Sequence, residues 1–355
     1  METRDFEAAQ AFLLAAKTYW TTVMFRNLKA TYEELESGIE KSVDRPAKAI
    51  KALEKKVSYR YFAWLERHLQ KMKYSGPYGL IPYHSEHRNE LAKTLNANLK
   101  DSYSPELQPD LTLPDYYIEI DTHQHPGGLW SDDIAGIVYE RGARSTTPLL
   151  GSAHSDLHSR LVDYIDDGHT YERILDMGCG FGKSTMPFVE RFPKAQVEGI
   201  DLSAPALTLA AQIAREAKLK NVHFQQMNLE KTDFDDNSFD LITSTMTLHE
   251  IPTKALRNML EEAFRILRPG GRMVHLDFHV IPNEFQRFVH YGHSRRNNEP
   301  YMRTLGELNL EEEISSKGFE NIDLRQFAES EDVDFEVNDA WRFPWTAISA
   351  TKPAN

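Results

Sequence analysis

Between residues 5 and 38 the apolar positions Leu13, Ala16, Trp20, Met24 and Leu28 recur at steps of three and four, the spacing that lines one face of an α-helix. A second stripe follows. Asp44 and Pro46 mark its start, Ile50, Leu53, Val57, Tyr61, Leu65 and Leu69 form it, and Gly76-Pro77 closes the region. The two segments predict a helical hairpin that packs on the rest of the chain or on a second copy, its aromatic residues read as core. From Tyr74 to Arg144 the periodicity weakens while Pro, Gly, Tyr and His become frequent, a composition typical of lids and binding loops. A helix over 155–167 then leads into an apolar strand at 172–176. Strands alternate with helices from there on, the pattern of a parallel sheet covered on both faces. Leu308 to Lys317 reads as a late helix closed by Gly318, with strands at Asn321 to Phe327 and Trp345 to Thr351. The expected division is a helical, loop-rich region 1–150 and an α/β domain 151–355.

The strand at 172–176 delivers Asp176 into a loop with glycines at 178, 180 and 182, the sequence Ile174-Leu-Asp-Met-Gly-Cys-Gly-Phe-Gly-Lys-Ser184. Glycine permits positive φ and leaves no Cβ between backbone and ligand, so such a loop lets a charged group approach the main chain where a helix begins. Spacing separates three readings of it. A phosphate-cradling P-loop needs a glycine five residues before the Gly-Lys-Ser, where Met177 stands, and a dinucleotide fingerprint needs a third glycine where Lys183 stands. Asp-x-Gly-x-Gly-x-Gly remains. Val197 to Ser203 then reads as a second strand ending in Asp201, about 20 residues past the glycines, where folds of this kind hold ribose hydroxyls.

This set resembles the first motifs of class I S-adenosylmethionine-dependent methyltransferases, and later segments extend the resemblance in order. Phe224 to Asp240 resembles the third and fourth strands with the adenine-binding loop, Leu241 to Pro252 the segment that lines the donor methyl, and Arg265 to Phe278 the helix, Pro-Gly-Gly turn and fifth strand. The likeness covers roughly 155–280, and 305–355 more loosely, and is nearest to the ubiquinone and menaquinone group. It implies a Rossmann-like α/β fold: a seven-stranded, mostly parallel sheet with helices on both faces and an antiparallel last strand, an amino-terminal helical cap over 1–150, and a cap insertion at 281–304. It also implies S-adenosylmethionine as cofactor. Asp176 would orient the methionine end over Gly178, Gly180 and Gly182, Asp201 would hold the ribose, Leu202 and Leu229 would sandwich the adenine, and Thr245 would line the donor site. Where many members carry an Asp toward the adenine amino group this chain has Asn228, whose amide oxygen can also accept.

On the acceptor side the resemblance places His249 and Glu250 near the transferable methyl, each a candidate general base. Glu250 capping the following helix and His249 satisfying a carbonyl are the alternatives. His123 and His125 would face the same way on a strand, which leaves open a metal pair, pocket contacts or a structural turn; no Cys or third His at a familiar spacing completes a metal site. With Trp130, His279 and Tyr291 they are the substrate-side candidates, and His290 and His293 of the expected insertion could also enter the pocket; this clustering of aromatic and His residues suggests an acceptor with a flat or cationic part.

Composition narrows the picture. The 355 residues are 41% hydrophobic and 27% charged, those of an ordinary globular chain, and the apolar run Ala11 to Ala16 is too short to span a bilayer. Acidic residues precede that run, so the basic-then-apolar order of a secretory signal is absent. A net charge of −13 argues against nucleic acid as a partner, and the single cysteine, Cys179, suits a cytoplasmic location. The expected function is methyl transfer to O, N or C of a small-molecule acceptor, with a homodimer through the amino-terminal helices as one arrangement. A cofactor-binding partner or regulatory subunit without catalysis, and a protein methyltransferase, are the alternatives.

Overall fold

The first stripe folds as α1 (Arg4–Tyr19), a π-helical stretch (Trp20–Met24) and α2 (Phe25–Ser37). A computed structural model provides these coordinates and describes all residues except 1, 97–101, 146–154, 332, 336, 338 and 355. Thr3 caps α1 by accepting from the Phe6 amide, while the hydroxyls of Thr21 and Thr22 bond back to the carbonyls of Lys17 and Thr18 where the helix loosens.

The second stripe is not one helix. It splits into α3 (Arg45–Leu53) and α4 (Val57–Tyr74), with Lys56 extended between them at φ −73°, ψ 140°. The break resets the helical phase, so Val57 and Tyr61, expected on the buried stripe, face solvent, while Phe62, Glu66, Leu69 and Gln70 turn inward.

The stretch from 74 to 144 is more helical than its composition suggests: α5 (Leu80–Glu86), α6 (Arg88–Asn96), α7 (Asp115–Ile118), a 3₁₀ turn (Thr122–Gln124) and α8 (Ala135–Ala143). His123 and Gln124 adopt left-handed conformations at φ 58° and 56°. His123 and His125 therefore do not share a strand face.

The α/β part follows as α9 (Ser155–Ile165), β1 (Arg173–Met177), α10 (Thr185–Arg191), β2 (Gln196–Asp201), α11 (Ala204–Glu216), β3 (Val222–Gln226) and β4 (Phe239–Thr245). A 3₁₀ turn at Leu248–Glu250 precedes α12 (Thr253–Ile266) and β5 (Leu267–Phe278). The expected insertion is a helical pair, α13 (Glu284–Asn297) and α14 (Tyr301–Glu307), and α15 (Leu310–Ser315), β6 (Glu320–Gln326) and β7 (Trp345–Thr351) complete the chain.

The strands form one seven-stranded sheet in the order β3-β2-β1-β4-β5-β7-β6, parallel except for β7, which runs antiparallel between β5 and β6. Side chains alternate across it as the two-residue period of a strand requires. Ile174 faces one buried cluster while Leu175 and Met177 face the other. The first cluster runs without interruption from Leu13, Trp20 and Leu28 to Val197 and Val274, so the amino-terminal helices share their core with one face of the sheet. Trp341 ties in as well, its amide donating to the Thr21 carbonyl at 2.7 Å. The boundary expected at 150–151 lies outside the described residues. No described helix is long and apolar enough to cross a membrane.

Candidate active site

Parallel strands end at one edge of the sheet, and there the order reverses on either side of β1, opening a crevice. The loop after β1 lies in it. Gly178, Gly180 and Gly182 all have positive φ, and two of them carry the reason for glycine. A Cβ at Gly178 would stand 2.6 Å from Thr247 Oγ1, whereas one at Gly180 would meet only Tyr139, at 3.5 Å, so the Gly180 main chain faces open space. The Gly180 amide donates to Asp201 Oδ2 at 2.9 Å, and Asp201 Oδ1 accepts from the Ser203 amide at 2.8 Å. Burial pushes the Asp201 carboxyl above its ordinary value, and these amides partly counter it.

A cavity of about 260 Å³ extends from this loop to the amino-terminal helices. It brings together ten sequence candidates: Gly178, Gly180, Asp201, Leu202, Leu229, Thr245, His249, Glu250, His123 and His293. The others lie elsewhere, each for a visible reason. Asp176 sits beneath the loop, fully buried, accepting from the Ser184 and Thr185 hydroxyls at 2.6 and 2.7 Å; burial lifts it to about 6 against those bonds. Gly182 packs toward Met186, Ala210 and Phe224. The Asn228 oxygen, expected to meet an adenine amino group, instead accepts from the Glu230 amide at 2.9 Å. His125 stacks on Tyr74 at 4.7 Å, and burial brings it down to about 4. Trp130 folds over its own turn against Gly128. His279 bonds to the Leu305 carbonyl and Tyr291 packs against Gly306, both toward α14 rather than the cavity, and His290 is buried edge-on against Phe278 at 5.6 Å.

The far wall is a file of alternating carboxylates and imidazoles. His249 Nδ1 lies 2.7 Å from Asp277 Oδ1, and Asp277 also accepts the Leu248 amide, which fixes the 3₁₀ turn after β4. His249 Nε2 stands 3.4 Å from Glu250 Oε1, which lies 3.0 Å from His123 Nε2. His123 Nδ1 reaches Glu299 Oε1 at 2.9 Å, Glu299 lies 3.7 Å from His293 Nε2, and His293 Nδ1 meets Glu66 at 2.5 Å. Arg296 completes the file on Glu66. Burial alone would lower both His249 and His123. The flanking carboxylates win, raising His249 well above its ordinary value and His123 to about 9. Glu250, half-buried and set between two imidazoles, is held ionised.

Sequence reasoning missed several lining residues: Glu66, Lys17 and Gln70 from the amino-terminal helices, Lys183 beside the glycine loop, Asn297 and Glu299 near the end of α13, and Trp341 and Phe343 before β7. Lys17 donates to Gln70 Oε1 and the Ser145 carbonyl, and burial lowers it to about 8. Among the described residues no group of three or more metal-ligating side chains is arranged to hold a metal ion.

S-adenosylmethionine fits these residues. Bare main chain at Gly180, a half-buried carboxylate at Asp201, apolar Leu202 and Leu229, and the buried, unpartnered hydroxyl of Thr245 form a crevice that offers contacts for an amino acid, a sugar and a base. Residues 174–271 match a family described as a methyltransferase domain. The phthiotriol/phenolphthiotriol dimycocerosates methyltransferase of Mycobacterium tuberculosis is 29% identical over 157 residues, 42% of this chain and 56% of that protein. The demethylmenaquinone methyltransferase of Lactiplantibacillus plantarum is 36% identical over 106 residues, 29% of this chain and 44% of that protein. The chain thus spans about half the length of the curated relatives it matches. Among solved structures, phosphoethanolamine N-methyltransferase 2 of Haemonchus contortus with S-adenosyl-L-methionine has a TM-score of 0.47 at 18% identity, covering 68% of this chain and 60% of that one. Residues 174–271, with the glycine loop after β1 and the carboxylate that ends β2, thus match a methyltransferase domain, in a chain whose 3-2-1-4-5-7-6 sheet is that of the class I S-adenosylmethionine-dependent fold.

Proposed function

We propose that the chain transfers a methyl group from S-adenosylmethionine to O, N or C of a small-molecule acceptor held in the cavity between the sheet edge and the amino-terminal helices. One observation carries the reading: a single cavity joins the glycine loop and Asp201 to the His249–Glu250 pair. The sulfonium donor supplies an electrophilic methyl on a good leaving group, so the protein's work is to align the acceptor, exclude water and receive a proton where the acceptor nucleophile carries one. Trp20, Glu66 and Gln70 wall the cavity on the side away from the sheet, and Phe278, Trp341 and Phe343 give it a flat aromatic surface, features that suit an enclosed acceptor better than an extended peptide. The first 150 residues then act as cover and acceptor wall.

Asp277 holds the Nδ1 side of His249 and turns Nε2 toward Glu250, so the His249–Glu250 pair, once His249 has given up its own proton, can take one from the acceptor. A cytoplasmic location accords with the single, buried Cys179. Calorimetry with S-adenosylhomocysteine tests the cofactor site. Incubation with S-adenosylmethionine and a metabolite extract, followed by mass spectrometry for a product heavier by one methyl, tests the reaction. Tight nucleoside binding with no such product under varied extracts would leave a cofactor-binding subunit as the better account.

A further inference from the structure

The outward face of α4 carries a pattern that the cavity does not use. At 100° per residue, Val57, Tyr61, Trp64 and Met72 fall on one strip, and Arg60, Arg67 and Lys71 form a row along its edge, the whole within an arc of roughly 140°. The four apolar residues are 79%, 52%, 52% and 49% exposed. Tyr61 and Trp64 stack at 5.8 Å, and Trp64 meets the His68 ring at 4.2 Å, so the strip is an ordered aromatic ladder. The basic row is exposed too, and among the described residues it makes no ion pair. Several arginines elsewhere are answered: Arg257, Arg265, Arg268 and Arg272 each face a carboxylate. The sole acidic residue of α4, Glu66, is turned inward onto Arg296 and His293. A chain of net charge −13 therefore presents one helix face that carries only positive charge and aromatic or apolar side chains. Along α1, which packs against α4, Phe12 and Tyr19 also stand exposed.

We propose that this face docks on an anionic lipid bilayer, lying in the plane of the interface with Trp64 and Tyr61 at headgroup depth and Arg60, Arg67 and Lys71 over lipid phosphates. Tyr and Trp favour that depth because each has an apolar body and a polar tip, and long basic side chains reach phosphates while their stems cover apolar surface. A second copy of the chain is disfavoured by charge: in a two-fold dimer through this face the same basic row would meet itself. Nucleic acid would need many more phosphate contacts than three cations supply. The inference does not depend on the cofactor or the acceptor.

The test is co-sedimentation of the full chain with vesicles of phosphatidylcholine alone and of phosphatidylcholine mixed with phosphatidylglycerol, at low and high salt. Binding to the anionic vesicles alone, weakened by salt, is expected. Arg60→Gln/Arg67→Gln/Lys71→Gln should lower that affinity on the order of a hundredfold, from about a factor of five per charge. Trp64→Ala should lower it about tenfold, and a blue shift of tryptophan emission on binding should vanish in Trp64→Phe. All these positions are exposed and lie off the cavity, so S-adenosylhomocysteine affinity, unchanged, shows that each variant is folded. No binding to either vesicle, equal binding to both, or loss of a dimer in Trp64→Ala without vesicle binding overturns the proposal.

Discussion

His123 Nε2 lies 3.0 Å from Glu250 Oε1, so an imidazole from the amino-terminal region is bonded to the carboxylate beside the methyltransferase crevice. The same ring reaches Glu299 through its other nitrogen, so one side chain fastens together the amino-terminal cover, the turn after β4 and the insertion after β5.

Its charge makes that fastening sensitive to pH. The folded pKa of His123, about 9, is above the ordinary 6.5, so its contribution is fully present below pH 6.5 and is lost as pH rises from there to about 9. Thermal melts should show wild type falling toward His123→Gln across that window, with the difference at most about 3 kcal/mol at its acid end. A gap between the two proteins that does not change from pH 6 to 9 would remove the charge from the account.

Asp201 holds the glycine loop and, in the proposed function, the ribose. Asp201→Ala should weaken S-adenosylhomocysteine binding by at least about thirtyfold in calorimetry, the scale of losing a charge-assisted bond of roughly 2 kcal/mol. Unchanged affinity would show that the nucleoside, if bound, does not use this carboxylate.

Gly178 and Gly180 should differ as alanines. Both pay for a left-handed backbone, on the order of 1 to 2 kcal/mol, but only Gly178→Ala adds a collision with Thr247. Melting should therefore be lowered more by Gly178→Ala, while Gly180→Ala should mainly reduce nucleoside affinity by placing a methyl on the surface that faces the cavity. Equal destabilisation by the two would contradict the contact geometry.

Asp277 accepts from the Leu248 and Phe278 amides and meets His249, fully buried. Asp277→Asn must turn a donor toward one of those partners, which should cost on the order of 3 kcal/mol and lower the melting temperature by several degrees. Glu66→Gln should cost a similar amount by leaving Arg296 buried without its carboxylate. Melting curves that superimpose on wild type would refute either assignment.

The part of the site legible in the sequence is the part built from neighbours along the chain. Asp176, the three glycines and Asp201 follow from a strand, a loop and a strand, where local spacing dictates geometry. Even there, whether a residue faces the crevice depends on contacts that spacing does not encode: Asp176 was claimed by Ser184 and Thr185, and Asn228 by its own turn. On α13 the expected residues were His290, Tyr291 and His293, and only His293 reaches the cavity, joined by Asn297 four residues on along the same face; two residues along a helix turn the side chain by about 200°, which carries Tyr291 away. Glu66 and Glu299 gave no local signal, because the imidazoles they bond, His293 for Glu66 and His123 for Glu299, are 227 and 176 residues away. His123 was named for a strand face and arrives instead on a left-handed turn.

The placement of β7 also has a consequence for how the chain assembles. Among the described strands β6 pairs only with β7, and β7 also completes β5, so this edge of the sheet is zipped by a strand that follows both of its neighbours in sequence. Until then β5 carries an unsatisfied row of amides and carbonyls, a template for pairing with another nascent molecule. Refolding yield should accordingly fall with concentration in any truncation that removes Trp345 to Thr351, even though none of those seven residues lines the crevice.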